Sequence, residues 1–131
     1  MILYALRHEE RGESPLPLTP LTNNGFIRSL YLINKLKNIN PDYIYCSPFL
    51  RTIETIYPYS INQNKKICIE NGLYEYVHDY RFNLDNYLHL YDDNKNNTYN
   101  KSILKCIDKS YDSYIDLKCI KCYENSDDLY D

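Results

Sequence analysis

A chain of 131 residues that is 44% hydrophobic and 15% aromatic carries enough apolar surface to bury one core, which excludes a wholly disordered polymer. Its net charge of -3, from 15 Lys+Arg and 18 Asp+Glu, supplies no global basic field, so neither nucleic acid nor a membrane surface is an expected partner. Any anion site must be built locally, from a few residues.

Residues 2–6, Ile2-Leu3-Tyr4-Ala5-Leu6, form a short apolar run without a turn residue, the pattern of a strand buried on both faces. The run stops at the charged cluster Arg7-His8-Glu9-Glu10-Arg11, too early for the apolar region of a signal peptide. Between positions 12 and 20, Gly12, Pro15, Pro17 and Pro20 rule out regular structure, so a surface loop is expected. Phe26, Leu30, Ile33 and Leu36 or Lys37 recur at helical spacing, with Thr22 or Asn23 as N-cap. Asn40-Pro41-Asp42 marks a turn, and Tyr43-Ile44-Tyr45-Cys46 a second buried strand. Pro48, at a first helical position, opens a second helix from Phe49 to about Tyr57, which Pro58 closes. Ile67-Cys68-Ile69 is a third strand, followed by a turn at Asn71-Gly72. Beyond Glu75 the pattern weakens: residues 92–101 read as a polar loop and 103–115 as a helix.

Strand, helix, strand, helix, strand implies an α/β domain with a mainly parallel sheet, whose site lies beyond the carboxyl ends of the strands. Arg7-His8 and the segment from Ser47 to Arg51 leave two of those strands, so topology gathers them at one edge.

Leu6-Arg7-His8-Glu9-Glu10-Arg11 resembles the Arg-His-Gly motif of the histidine phosphatase superfamily, the phosphoglycerate-mutase-like proteins. Leu21-Thr22-Asn23-Asn24-Gly25 is similar to the start of that family's first helix. The segment from Ile44 to Thr55 resembles its serine-proline and arginine-threonine stretch, and that from Glu70 to Tyr76 its acid-bearing loop. The resemblance implies a three-layer α/β/α fold forming a single domain over 1–131, with the core motifs in 1–76 and a cap or insertion region in 77–131. It also implies a histidine-type acid phosphatase or phosphomonoesterase. His8 is then the nucleophile, Arg7 and Arg51 the anion clamp, and Glu75 the proton donor and later base; Arg11 is a weaker third phosphate contact, and Thr22 or Arg28 reach its rim. The expected substrate is a phosphorylated small molecule or phosphoprotein, with no cofactor and no metal.

The chemistry requires these residue types together. A phosphate monoester is an unactivated dianion, so positive charge must neutralise its oxygens as the bond to the leaving oxygen breaks. Arginine presents a planar fork that matches phosphate. Nearby guanidiniums disfavour the imidazolium and keep histidine nucleophilic, while a carboxylic acid protonates the leaving alkoxide. Each residue also has a plainer reading. His8 is then a surface histidine, Arg51 pairs with Glu54 or Glu75, and Glu70, Asp79 and Glu10 compete with Glu75 as the acid.

Two departures from the family pattern stand out. Glu9 replaces the glycine after the histidine, and its carboxylate either points away or repels the substrate. The family's second core histidine, near the C-terminus, has no counterpart, since His78 and His89 lie too early. The segment 124–131 resembles the entry to the helix before that histidine, so a truncated chain is expected, with a catalytically inactive phosphate-binding or interaction module as the alternative. The first loop lacks the phosphoglycerate mutase pattern, which favours phosphatase over mutase and the eukaryotic-type branch. Cys119 and Cys122 have the spacing of half a zinc site without a second half, and read as incidental thiols. With Cys46, Cys68 and Cys106 they are odd in number and irregularly spaced, and no stretch is long enough to span a bilayer, so a cytoplasmic protein with reduced thiols is expected.

Overall fold

The structure, a computed structural model, describes residues 1–14, 17–73 and 101–115. In chain order these contain α1 (Asn23–Lys35), β1 (Ile44–Cys46), α2 (Leu50–Asn62), β2 (Ile67–Ile69), a 3-10 turn (Asn71–Leu73) and α3 (Lys101–Cys106). β1 and β2 pair in parallel, with Ile44 opposite Ile67 and Cys46 opposite Ile69. Ile67 also bridges in parallel to Ile107, which continues the sheet beyond β2. The architecture is thus mixed α/β around a parallel sheet. α2 packs on both strands and is flanked by α1 and α3.

Its core is small and contiguous: Ile44, Cys46, Phe49, Ile53, Tyr59, Ile67 and Ile103. The Cys46 thiol is pushed up to about 12 by this burial, as expected of an inert packing thiol. Cys46, Cys68 and Cys106 are free, while Cys119 and Cys122 lie outside the described residues. Among the described residues no helix is long and apolar enough to cross a membrane.

α1 begins where expected. The Thr22 hydroxyl accepts the Gly25 N–H at 3.0 Å, satisfying one of the donors that a helix start leaves open. Its buried stripe, however, is Gly25, Ser29 and Leu32, one position off the expected one, while Phe26 and Leu30 remain 44% and 45% exposed. Hydrophobicity alone misplaces this face because its inner side is chosen for small size. A Cβ on Gly25 would come within 2.0 Å of the Glu10 carbonyl oxygen, so only glycine lets the backbone after His8 lie against α1.

α2 also differs from expectation. It starts at Leu50 with Phe49 as N-cap and continues through Pro58 to Asn62, instead of running from Phe49 to Tyr57. Proline removes one N–H but does not stop a helix whose apolar face is buried on both sides of it, here by Ile53 and Tyr59. The helix stops at a specific cap. Asn64 adopts φ 52°, its N–H donates to Ile61 O, and Lys65 N–H donates to Ser60 O.

Three strand and helix expectations need correction. Residues 2–6 form no strand: Ile2 is 79% and Leu3 85% exposed, because no described strand lies beside them to complete a ladder. β1 is limited to Ile44–Cys46 and buries one face only, leaving Tyr43 and Tyr45 outside, where Tyr45 packs edge-on against Tyr111. α3 ends at Cys106 instead of running from 103 to 115, because Asp108 N–H pairs with Ile67 O at the sheet edge. The expected loop at 92–100 lies outside the described residues.

Candidate active site

The segment from Arg7 to Glu13 lines an open depression of about 640 Å³ together with Arg28 of α1. Backbone hydrogen bonds to two helices hold it in place. The N–H of the His8–Glu9 peptide donates to Thr55 Oγ1 at 3.0 Å, and Thr55 in turn donates to the Arg51 carbonyl at 2.7 Å. The Glu10 carbonyl accepts the Thr22 N–H at 3.0 Å, beside the close approach to Gly25. Further along, Leu21 N–H donates to Glu54 Oε2 at 2.7 Å and Leu50 N–H to the Pro17 carbonyl at 2.9 Å. The loop expected at the surface is therefore stitched to α2 at both ends, with Pro17 fully buried.

His8 is half-buried, and its Nδ1 lies 2.7 Å from the Glu9 carbonyl oxygen. A carbonyl can only accept, so Nδ1 carries the proton, and Nε2 is the nitrogen that holds the lone pair whenever the ring is neutral. This contact orients the ring and leaves Nε2 without a hydrogen-bond partner among the described residues. Arg7 is exposed on the same depression, and among the described residues no hydrogen bond or ion pair engages its guanidinium.

Glu9 lines the same depression as His8, and its Oε2 accepts from the Nε of Arg28 at 2.8 Å, so its carboxylate is paired with a guanidinium. Glu10 is likewise engaged: its two carboxylate oxygens accept from Thr22 Oγ1 at 2.7 Å and Asn24 Nδ2 at 3.1 Å. These bonds, Thr22 first, hold its carboxyl below the usual range. Arg11 curls back, with one Nη donating to the carbonyls of Gly12, Glu13 and Ser14 at 2.8, 3.1 and 3.0 Å. It stiffens the loop as much as it faces the depression.

Arg51 stands apart. It is 0% exposed, with its guanidinium 4.4 Å from the centre of the Phe49 ring, and it does not line the depression. α2 still brings it close in sequence to the site, because Thr55, one helical turn on, grips the peptide after His8. Glu54, with Glu75 the plainer alternative partner for Arg51, accepts the Leu21 N–H, and burial pushes the Glu54 carboxyl up despite that bond.

Among the competing acids, Glu70 is committed to structure. Desolvation opposes its ionisation, but bonds from Tyr111 Oη, Gly72 N–H, Ser113 Oγ and Tyr114 N–H prevail and hold it at about 2. Such a group binds the turn after β2 to residues 111–114 and is a poor proton donor. Glu75, Asp79, His78 and His89 lie outside the described residues. Sequence reasoning missed the pairing of Arg28 with Glu9. The available clue was the insertion of a carboxylate at position 9 with an arginine on the facing helix.

Comparison with curated proteins returns no significant match. Among solved structures, the chain is similar in fold to the ecdysone phosphate phosphatase from Bombix mori in complex with tungstate, with a TM-score of 0.59 and 18% identity. The likeness covers 94% of this chain and 60% of that one, so the chain spans less than two thirds of that protein's length. The family model described as histidine phosphatase superfamily (branch 1) matches residues 7–81, from the arginine before His8 through both helices that hold its loop. With more than half of its length in that match, and a parallel α/β fold to carry it, the chain belongs to the histidine phosphatase superfamily.

Proposed function

We propose that the chain is a phosphomonoester hydrolase that works through phosphohistidine, on a phosphorylated small molecule or phosphoprotein. The observation that carries this reading is the Nδ1 contact of His8 with the Glu9 carbonyl, which leaves Nε2 as the open nucleophile in a depression bordered by arginine. Nε2 attacks phosphorus, the bond to the leaving oxygen breaks, and Glu75 gives that oxygen a proton. Water then attacks phosphohistidine and returns a proton to Glu75, releasing phosphate. Arg7 carries the charge of the phosphoryl oxygens at the rim, and Arg51, buried over Phe49 and off the depression, completes the clamp only on turning toward His8. The scheme draws on no metal and no organic cofactor.

The ecdysone phosphate phosphatase in complex with tungstate shares the fold, and this supports phosphoryl chemistry without naming a substrate here. The burial of Arg51 over Phe49 favours a second reading, a module that binds phosphate without turnover. Hydrolysis of an aryl phosphate by the wild type beside His8→Ala, with acid-quenched samples assayed for acid-labile phosphohistidine, separates the two. Turnover and a trapped adduct that both vanish in His8→Ala are expected. Full turnover in His8→Ala would remove the nucleophile assignment, whereas phosphate binding without turnover in the wild type would establish the module.

A further inference from the structure

We infer that Arg28 is a second anion ligand of the His8 cleft and that Glu9 is its positioning residue, so that the cleft selects phosphate monoesters bearing a second acidic group. This rests on the phosphatase reading of that cleft. Glu9 is the residue next to the nucleophile, and its carboxylate grips Arg28 by Nε alone, at 2.8 Å. Among the described residues nothing else bonds to Arg28, so both its Nη groups keep their donors open on the depression that Arg7 and His8 also line. A guanidinium held at Nε retains the parallel N–H pair of Nη1 and Nη2, which receives a carboxylate or phosphate end-on. The Glu9 side chain is only 14% exposed and that of Arg28 58%, so the inner partner is the fixed anchor and the outer one the presenting arm.

The charge arrangement points the same way. Arg7 has no partner among the described residues and lines the depression beside His8, where a phosphoryl group would sit. Arg28 lines the same depression from α1, an element separate from the segment that carries Arg7 and His8. Glu9 cancels the pair's net charge, so Arg28 adds little to the long-range attraction of anions in general. It contributes where a ligand's second anion meets the fork directly. The inserted carboxylate thus confers selectivity where a glycine would leave a bare rim.

The test is titration calorimetry of the full chain with three ligands it cannot hydrolyse: inorganic phosphate, propylphosphonate, and 3-phosphonopropionate, which adds one carboxylate to the same skeleton. The wild type is expected to prefer 3-phosphonopropionate over propylphosphonate by about tenfold, the effect of one bidentate charge-assisted pair. Arg28→Gln should erase that preference and leave inorganic phosphate and propylphosphonate within about twofold. Glu9→Ala should shrink the preference even though it removes a negative charge, because Nε loses its anchor. Arg28→Lys should not restore it, because an ammonium has no fork. Equal weakening of all three ligands in Arg28→Gln would place Arg28 on the phosphoryl group itself and overturn the inference. An unchanged ratio would reduce the pair to a surface ion pair and overturn it as well. Failure of the wild type to bind inorganic phosphate or either phosphonate is a different result: it would remove the phosphatase reading and the inference with it.

Discussion

Residues 2–6 and the two strands β1 and β2 are written in nearly the same alphabet of Ile, Leu, Tyr and Cys, yet they meet opposite fates. Ile44 and Ile67 are 7% and 0% exposed, whereas Ile2 and Leu3 stay 79% and 85% exposed. The difference lies in partners. β1 and β2 have each other for a ladder and α2 for a lid, and an apolar run without both has nowhere to place its N–H groups or its side chains. The same contrast holds for the arginines. Arg51 is carried into the core by the first turn of α2, while Arg7, at the end of the unpaired run, stays in solvent.

The sharpest way to break this comparison is to truncate one residue on each side of it. Ile53→Ala, at a site with no exposure, should cost about 2–5 kcal/mol in urea unfolding, and Leu3→Ala less than about 0.5 kcal/mol. Equal costs would mean that residues 2–6 are buried after all. Gly25→Ala comes next: its methyl meets the Glu10 carbonyl at 2.0 Å and must push the site loop off α1, at about 1–3 kcal/mol. Because that loop carries His8, phosphate affinity should fall together with the melting temperature. A loss of stability alone would separate the loop's position from binding.

Thr22→Ala removes both the cap of α1 and a bond to Glu10, for a loss of about 1 kcal/mol that Thr22→Ser should largely restore. The smallest effect concerns the turn after β2. Glu70 sits at about 2 when folded, against 4.5 for an ordinary carboxyl, so its stabilising contribution is present above pH 4.5 and fades as pH falls toward 2. The gap in melting temperature between wild type and Glu70→Gln should therefore narrow across that window. Glu54, pushed up by burial, acts in the opposite sense and favours folding while protonated, so only the comparison with the variant isolates Glu70. A gap that does not change with pH would show that the bonds from Tyr111 and Ser113 contribute nothing net.

What could be read without coordinates was whatever rests on neighbours along the chain. The Thr22 cap, the amphipathic spacing of α1 and α2, the apolar triplets of β1 and β2, and the cluster around His8 are all short-range patterns, and each appears close to its expected place. The order of those patterns also implied a parallel sheet, since a helix between two strands leaves few other connections. Tertiary structure decided the rest. Whether residues 2–6 pair, whether α2 continues through Pro58, which side of α1 faces inward, where Glu9 points and how deeply Arg51 sits are all set by groups distant in sequence. Propensity and periodicity describe what a segment can bury or bond. Which partner actually reaches it depends on packing, and packing is a property of the whole chain.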